Sequence, residues 1–157
     1  MKIRLFAAAL LAVLGVVAVG SGAAVASATH AMGSAAVKTR KVKGLGVVLV
    51  NSKGRTLYVF AKDKHQRVTC TGQCASFWPP LKWKGSGKPK AAAPAKTKRL
   101  GLEKNPAGGK VVTYNKWPLY TYAGDSAGGQ ANGEGQNLNG GKWYVISAKG
   151  KLVKHRR

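Results

Sequence analysis

The apolar residues of this chain occur in short runs whose period is two, the spacing of β-strands rather than helices. Six such runs fall into three consecutive pairs, and a short turn containing Asn, Ser, Gly or Lys separates the two members of each pair. The predicted strands are residues 47–50, 55–60, 111–114, 117–122, 143–146 and 151–153. The pattern therefore predicts three β-hairpins and an all-β fold.

Two of these strands carry near-copies of one seven-residue motif, which indicates an internal duplication. The sequence is Leu-Tyr-Val-Phe-Ala-Lys-Asp at 57–63 and Leu-Tyr-Thr-Tyr-Ala-Gly-Asp at 119–125. We expect one domain over residues 44–150, in which two fused imperfect β-hairpin repeats, 44–83 and 100–150, form a small sandwich or a partly closed barrel. Residues 84–99 contain no aromatic side chain and no aliphatic one larger than Ala, which predicts an exposed loop or linker.

Within each copy, aromatic side chains alternate along the strand. Tyr58 and Phe60 point to one face of their strand, and Tyr120 and Tyr122 do the same in the second copy. Two interpretations fit these rings. They form a core layer shared by the two halves, with the Tyr hydroxyls bonded to buried partners, or they form a platform for a sugar, base or other ring.

Asp63 and Asp125 occupy equivalent places at the ends of the two motif strands, in a chain with only four acidic residues. A carboxylate there commonly accepts backbone N–H groups and shapes the following turn. Alternatively, the two carboxylates meet as acid–base partners or as ligands of a cation, although Ca²⁺ prefers about six to eight oxygens. We expect nearby Lys and Arg to keep both carboxylates ionised. We therefore predict no catalytic residue and no metal ligand, and name no cofactor.

Cys70 and Cys74 are the two cysteines of the chain. In an exported protein, this spacing with Gly72 between them predicts a small disulfide-closed loop. A redox role would favour the tighter C-x-x-C spacing, and a metal or haem contact would need more ligands. We expect the loop to fix a turn near Trp78.

The Gly-rich segment 128–141 follows Asp125 and leads to a tryptophan. It lacks the Gly-Lys-Ser/Thr ending and the following helix of a phosphate-binding loop. We interpret it as a long surface loop, in which Gly128, Asn132, Gly133 and Trp143 are possible ligand contacts.

Both termini differ in composition from the predicted β domain. Residues 1–28 have a basic start, an apolar run and the A-x-A site of a secretory signal peptide, with an uncleaved anchor as the alternative. Residues 29–43 predict a flexible basic tether, and residues 151–157 complete the last hairpin and end in a basic tail, so we expect disordered basic termini. No cysteine lies near the cleavage region, so we expect no lipid anchor there. No later apolar stretch reaches the roughly 20 residues of a spanning helix, so we expect no transmembrane helix in the mature chain.

The charge is strongly positive, because 27 Lys and Arg against four Asp and Glu give a formal net charge of +23. The cations are spread along the chain rather than concentrated in one segment. This favours diffuse attraction to polyanions over sequence-specific reading of nucleic acid. The alternative is that the positive charge only keeps the surface solvated and has no binding role.

An ordered set of motifs resembles one known family. The motifs are Leu57-Tyr58-x-Phe60-x-x-Asp63, Cys70-x-Gly-x-Cys74, Trp78-Pro-Pro-Leu81, Tyr114-Asn-x-x-Pro-Leu-Tyr120-x-Tyr122-x-x-Asp125 and Gly140-Gly-x-Trp143. Together they resemble the bacterial secreted repeat family of unknown function, predicted lipoproteins with a Y-x-[FWY]-x-x-D motif. The resemblance covers about residues 45–150 and implies an exported, envelope-associated protein with two repeats, but no activity. This chain departs from the pattern by lacking a lipobox cysteine.

We expect a non-enzymatic binding or structural module that interacts with anionic cell-wall or surface polymers. The alternative is an extracytoplasmic ligand carrier or redox accessory, in which the aromatic pairs, Asp63 and Asp125 bind a metal, haem or small aromatic ligand. A hydrolase ranks third because the sequence offers no nucleophile–base pair. The ligand and the oligomeric state stay open at this point.

Overall fold

The computed structural model describes residues 36–63 and 67–154, which belong to one compact unit. Its strands are β1 (Val37–Val42), β2 (Gly46–Asn51), β3 (Tyr58–Phe60), β4 (Lys82–Trp83), β5 (Leu100–Lys104), β6 (Lys110–Tyr114), β7 (Trp117–Pro118), β8 (Asn137–Leu138), β9 (Gly141–Ile146) and β10 (Leu152–Val153). One short helix, α1 (Gln73–Phe77), and a 3₁₀ turn (Thr97–Arg99) complete the regular structure of this part of the chain. The predicted signal peptide (1–28), residues 29–35 of the tether and residues 155–157 lie outside the described residues.

The all-β prediction is confirmed, and each predicted hairpin is present. Between β2 and β3, the side-chain oxygen of Asn51 accepts the N–H groups of Lys53 and Arg55 at 3.0 Å each and shapes the turn. Asn115 and Lys116 join β6 to β7 with φ values of 50° and 70°. Positive φ at both positions is what a two-residue type I′ turn requires. β9 and β10 form the third hairpin.

Each repeat also begins with a strand that the sequence pattern did not reveal. β1 pairs with β2 over six residue pairs, and β5 pairs with β6 over five. The tether predicted for 29–43 is therefore wrong over Val37–Val42. This segment is ordered because its backbone pairs with β2 and because its two terminal valines, Val37 and Val42, are buried.

The two repeats exchange their last strands. β4 follows α1 in the first repeat and pairs with β6 of the second, with Lys82 opposite Val111. β9 of the second repeat pairs with β3 of the first and reaches β2 through a bridge between Ser147 and Val48. The same exchange occurs in both directions, so a pseudo-twofold axis relates the repeats. The resulting antiparallel sheets of the described residues do not close into a barrel.

The two motif strands meet at the centre of this arrangement. Tyr58 and Tyr120 lie opposite each other and exchange two backbone N–H···O bonds of 2.8 and 2.9 Å. Alternate residues of the motif strands belong to different apolar clusters, with Tyr58 and Phe60 in one and Leu57 and Val59 in the other. The central strands are therefore buried on both faces.

Residues 84–99, predicted as an exposed linker, are mostly exposed and irregular but fixed at several points. Ala95 is buried in the second apolar cluster, which its small side chain can enter without an extended apolar face. The carbonyl of Lys90 accepts the N–H of Ala36 at 2.9 Å, and the Tyr114 hydroxyl accepts the N–H of Lys96 at 2.9 Å. The segment thus packs against both repeats.

Candidate functional site

A stack of four aromatic rings fills the space between the two repeats. In order along the stack the rings are Tyr122, Trp78, Trp143 and Phe60, with centroid separations of 4.2, 3.8 and 4.3 Å. Successive rings come from alternate repeats. Neither repeat can form the stack without the other.

Tyr58 and Tyr120 flank this stack on the same pseudo-twofold plan. Tyr58 contacts Trp78 edge-on at 5.4 Å, and Tyr120 contacts Trp143 edge-on at 5.2 Å. Edge-to-face packing of this kind is a favoured geometry of aromatic pairs. Tyr58, Tyr120, Trp78 and Trp143 have no exposed surface, so these rings form a core rather than an open platform.

The two tyrosine hydroxyls bond to the carboxylates of the opposite repeats. The Tyr58 hydroxyl donates to Oδ2 of Asp125 at 2.7 Å, and the Tyr120 hydroxyl donates to Oδ2 of Asp63. Both carboxylates are buried, Asp63 completely and Asp125 with 3% of its surface exposed. The structure therefore places Asp63 and Asp125 in two separate Tyr–Asp pairs, each of which links the repeats.

The second oxygen of each carboxylate shapes the loop that follows its strand. Oδ1 of Asp63 accepts the backbone N–H and the hydroxyl of Thr69 at 2.8 and 2.6 Å. Oδ1 of Asp125 accepts the N–H of Asn132 at 2.9 Å. This is the turn-forming role that a strand-end carboxylate commonly takes.

The electrostatics of the Asp63 pair differ from the sequence-based expectation. Burial raises the pKa of Asp63, and the hydrogen bonds from Thr69 and Tyr120 oppose this rise. Hydroxyl and backbone amide groups, rather than any Lys or Arg of the described residues, supply the hydrogen bonds to this carboxylate. Burial, followed by the influence of Asp63, raises the pKa of Tyr120, so this hydroxyl stays a proton donor.

The pKa of Tyr58 is raised for the same reasons as that of Tyr120. Burial raises the pKa of Tyr58 most, and the hydrogen bond and charge of Asp125 raise it further. The Tyr58 hydroxyl also accepts the N–H of Gly133 at 3.3 Å. Both tyrosines are thus protonated donors that satisfy buried carboxylates. Within 36–63 and 67–154, no group of three or more His, Cys, Asp or Glu is placed to hold a metal ion.

The predicted disulfide between Cys70 and Cys74 is confirmed, with 5.3 Å between the two Cα atoms. Cys74 is the second residue of α1, and its carbonyl accepts the N–H of Trp78 at 2.9 Å. The loop therefore places Trp78 at the end of α1 and in the aromatic stack, as the sequence led us to expect. The indole N–H of Trp78 is buried and has no hydrogen-bond partner among the described residues.

Two of the four predicted ligand-loop residues are buried. A Cβ atom on Gly133 would lie 2.7 Å from the Trp78 ring, so only glycine fits this contact. Trp143 is inside the ring stack, and its indole N–H donates to the carbonyl of Leu138 at 3.2 Å. Gly128 and Asn132 are exposed, so of the four only these two can meet a ligand from solvent.

A family model described as a secreted repeat of unknown function matches this chain twice, at residues 39–82 and 102–147. The two matches together span more than half of the chain. The chain belongs to this secreted-repeat family. Each match contains one Tyr–Asp motif and one stacked tryptophan, so the family signature coincides with the buried centre described above. No curated protein and no solved structure matches the chain.

The secreted-repeat domain also uses residues that sequence reasoning missed. Thr69 is the loop partner of Asp63, and Oε2 of Glu134 accepts the N–H of Val145 at 2.6 Å. The two Asp loops differ in length and composition, so the repeat alone did not mark Thr69 as the counterpart of Asn132. In the part of the chain that the structure describes, no helix combines the length and hydrophobicity needed to span a membrane.

Proposed function

We propose that this secreted-repeat protein is a non-enzymatic module of the cell envelope, retained there by diffuse attraction to anionic polymers. The observation that carries the proposal is the separation of charge between the inside and the outside of the fold. Asp63 and Asp125 are buried, whereas every Lys and Arg among the described residues is half-buried or exposed.

The pairing of the buried carboxylates strengthens this separation. Each is satisfied by a tyrosine hydroxyl and by loop donors rather than by Lys or Arg. The cations of the surface therefore are not neutralised by these two acids, and they add to one positive field. Such a field attracts polyanions over distances of about 10 Å at 0.1 M salt and is screened as salt increases.

The buried centre supports a module rather than an enzyme. The residues that define the repeat, Tyr58, Tyr120, Asp63 and Asp125, bond to one another across the two halves. Their hydroxyl and carboxylate groups are therefore already used in hydrogen bonds that join the repeats. For the same reason they support the electrostatic module better than a carrier that would bind a metal, haem or small ring through these side chains.

Retention on heparin-agarose tests the proposal. We expect tight retention at low salt and elution at a salt concentration that depends on total charge. Two triple variants make the test sharper, because they change the charge equally at different places. One is Lys84→Glu/Lys88→Glu/Lys90→Glu, clustered in the 84–99 segment, and the other is Lys53→Glu/Lys104→Glu/Lys142→Glu, spread over both repeats; all six side chains are exposed.

A diffuse field predicts that both triple variants elute at the same, lower salt concentration. A much larger shift for one of them would show a localised binding site and contradict the proposal. Absent or salt-insensitive retention of the unchanged protein would contradict it as well.

A further inference from the structure

A cleft of about 520 Å³ lies where the start of β2, the 84–99 segment and the β9–β10 turn meet. We call it the Val47 cleft. Its apolar lining residues are Leu45, Val47, Pro94 and Ala148, and its cationic ones are Lys96, Arg99 and Lys149. Among the described residues that line it, none is acidic. The volume lies within the range of roughly 300–1,000 Å³ that is common for small-molecule sites.

Val47 is an unusual residue for its position. It is 45% exposed on β2, one of the few large apolar side chains so exposed in the described residues. Val48 pairs with Ser147 in the first repeat as Val111 pairs with Lys82 in the second, so Val48 and Val111 occupy equivalent positions. The counterpart of Val47 is therefore Lys110. The first repeat thus presents a hydrocarbon surface where the second presents a cation.

The 84–99 segment gives this cleft its asymmetry. It supplies Pro94, Lys96 and Arg99, and it joins the repeats only once in the chain. Among residues 36–63 and 67–154, no second copy of this connecting segment is present to form an equivalent wall beside the second repeat. A neighbouring cleft that shares Leu45 is lined by Glu134, whereas the Val47 cleft has an entirely cationic rim.

Arg99 is fixed at the rim of the cleft. Its Nη1 donates to the backbone carbonyl of Lys149, which holds the guanidinium in place. The planar guanidinium fork matches the oxygens of a phosphate group, and lysine ammonium groups add point charges to such a site. The side chains of Lys96 and Lys149 are exposed beside it.

We propose that the Val47 cleft binds one molecule of an anionic amphiphile, an alkyl or acyl chain that ends in a phosphate group. The chain packs against Leu45, Val47 and Ala148, while the phosphate lies at the rim with Arg99 and Lys149. The doubly charged headgroup complements the three cations of the rim, and the hydrocarbon complements the floor. This site goes beyond the proposed function, because diffuse attraction to polymers requires no apolar cleft.

Binding of dodecyl phosphate below its critical micelle concentration tests the site. We expect saturable binding of one molecule per chain in calorimetry, with amide shifts in NMR spectra at Leu45, Val47 and Ala148. Inorganic phosphate has only the headgroup and should bind at least about tenfold more weakly, since each buried methylene is worth about fourfold in affinity. Dodecyl maltoside has the same chain but a neutral headgroup, and it should also bind at least about tenfold more weakly because it cannot pair with the cations of the rim. Equal affinity for inorganic phosphate, or many equivalent sites for dodecyl phosphate, would overturn the proposal.

A pair of variants separates this cleft from the general charge of the surface. Val47→Asp places a carboxylate at the floor, whereas Leu138→Asp makes the same charge change at another exposed apolar residue, 39% exposed and outside the cleft. We expect Val47→Asp to weaken dodecyl phosphate binding at least about tenfold and Leu138→Asp to change it less than about twofold. Equal losses would overturn the site.

The same two variants keep this result distinct from the proposed function. Both should elute from heparin-agarose at the same salt concentration, because they carry the same net charge. Loss of amphiphile binding in Val47→Asp but not in Leu138→Asp, with the same heparin elution for both variants, supports the cleft. Normal heparin retention of the unchanged protein without any binding of dodecyl phosphate would refute the cleft and leave the electrostatic module standing.

Discussion

The Tyr120 hydroxyl shows how much a single polar group contributes in this core. It donates to Oδ2 of the fully buried Asp63, so Tyr120→Phe leaves that carboxylate with one donor fewer. We expect the substitution to lower the free energy of unfolding by about 1.5–3 kcal/mol, as for hydrogen bonds to charged groups. Urea unfolding at neutral pH measures the loss.

Tyr144→Phe is the matched control for this substitution. The Tyr144 ring packs on the second apolar cluster, and its hydroxyl makes no hydrogen bond with the described residues. We expect its removal to change the free energy of unfolding by less than about 0.5 kcal/mol. Comparable losses in the two variants would show that removing a tyrosine hydroxyl is itself costly here, and that the bond to Asp63 does not explain the effect at Tyr120.

Asp63 also predicts an unusual pH dependence at the residue scale. Because burial raises its pKa in the folded state, the folded protein binds more protons at this site than the unfolded chain, whose Asp pKa is about 4. The contribution of Asp63 to stability is therefore fully present below pH 4 and is lost as pH rises through the raised folded pKa. We expect the free energy of unfolding to fall with rising pH across this window.

Asp63→Asn isolates that contribution, because its side-chain oxygen can still accept the Thr69 donors but does not titrate. The difference in unfolding free energy between the original protein and Asp63→Asn should change as the pH rises from about 4 through the raised folded-state pKa of Asp63. Parallel pH profiles for the two proteins would contradict the assignment.

At the scale of elements, the two hairpin turns place equivalent lysines, Lys53 and Lys116, in different backbone conformations. Lys116 has φ of 70° in the two-residue turn, a left-handed conformation that costs a residue with Cβ about 1–2 kcal/mol. In the first repeat Gly54 takes the positive φ, of 79°, and Lys53 does not. We expect Lys116→Gly to stabilise the domain by roughly 0.5–1 kcal/mol and Lys53→Gly to destabilise it by about 0.5 kcal/mol.

Thermal unfolding of the two variants tests this prediction. Both lysines are exposed and both substitutions remove one positive charge, so the change in electrostatics is the same. Shifts of the same sign would show that the loss of charge, rather than the turn geometry, determines the result.

These turns also explain which elements the sequence could predict. The three hairpins were predictable because each is formed by adjacent runs of alternating residues joined by turn-forming residues. β1 escaped because Lys and Arg dominate it and only its terminal valines are buried. β5 escaped because its apolar alternation is limited to Leu100 and Leu102, which are only half-buried and have Gly101 between them. Both segments form strands because their backbones pair with an apolar neighbouring strand. That pairing cannot be recognised from their own sequences.

At the scale of the whole molecule, the sequence showed the repeat but not how its copies fit together. The Tyr and Asp of one copy are equally suited to bond within that copy or across to the other. The exchange of β4 and β9 decides the outcome, because it brings Tyr58 to Asp125 and Tyr120 to Asp63. That register depends on contacts between distant segments, which alternation along one strand cannot specify.

The exchange has a consequence for cooperativity. Each repeat lends its last strand to the sheet of the other, and the ring stack alternates between them. Neither half can bury its central strand alone, so the domain should unfold in one transition despite its duplicated sequence. Tryptophan fluorescence and far-ultraviolet circular dichroism in urea should therefore give coincident curves.

Leu57→Ala and Leu119→Ala test that cooperativity from both sides. The two leucines are equivalent in the repeat and fully buried, so each substitution should destabilise the protein by about 2–5 kcal/mol. If the repeats unfold as one unit, either variant shifts the entire transition and the two probes stay coincident. If each repeat were a separate folding unit, one substitution would move half of the transition and leave the other half in place, giving a biphasic curve. A biphasic curve in either variant would therefore contradict the exchanged arrangement itself, because strands shared between the halves cannot melt in one half alone.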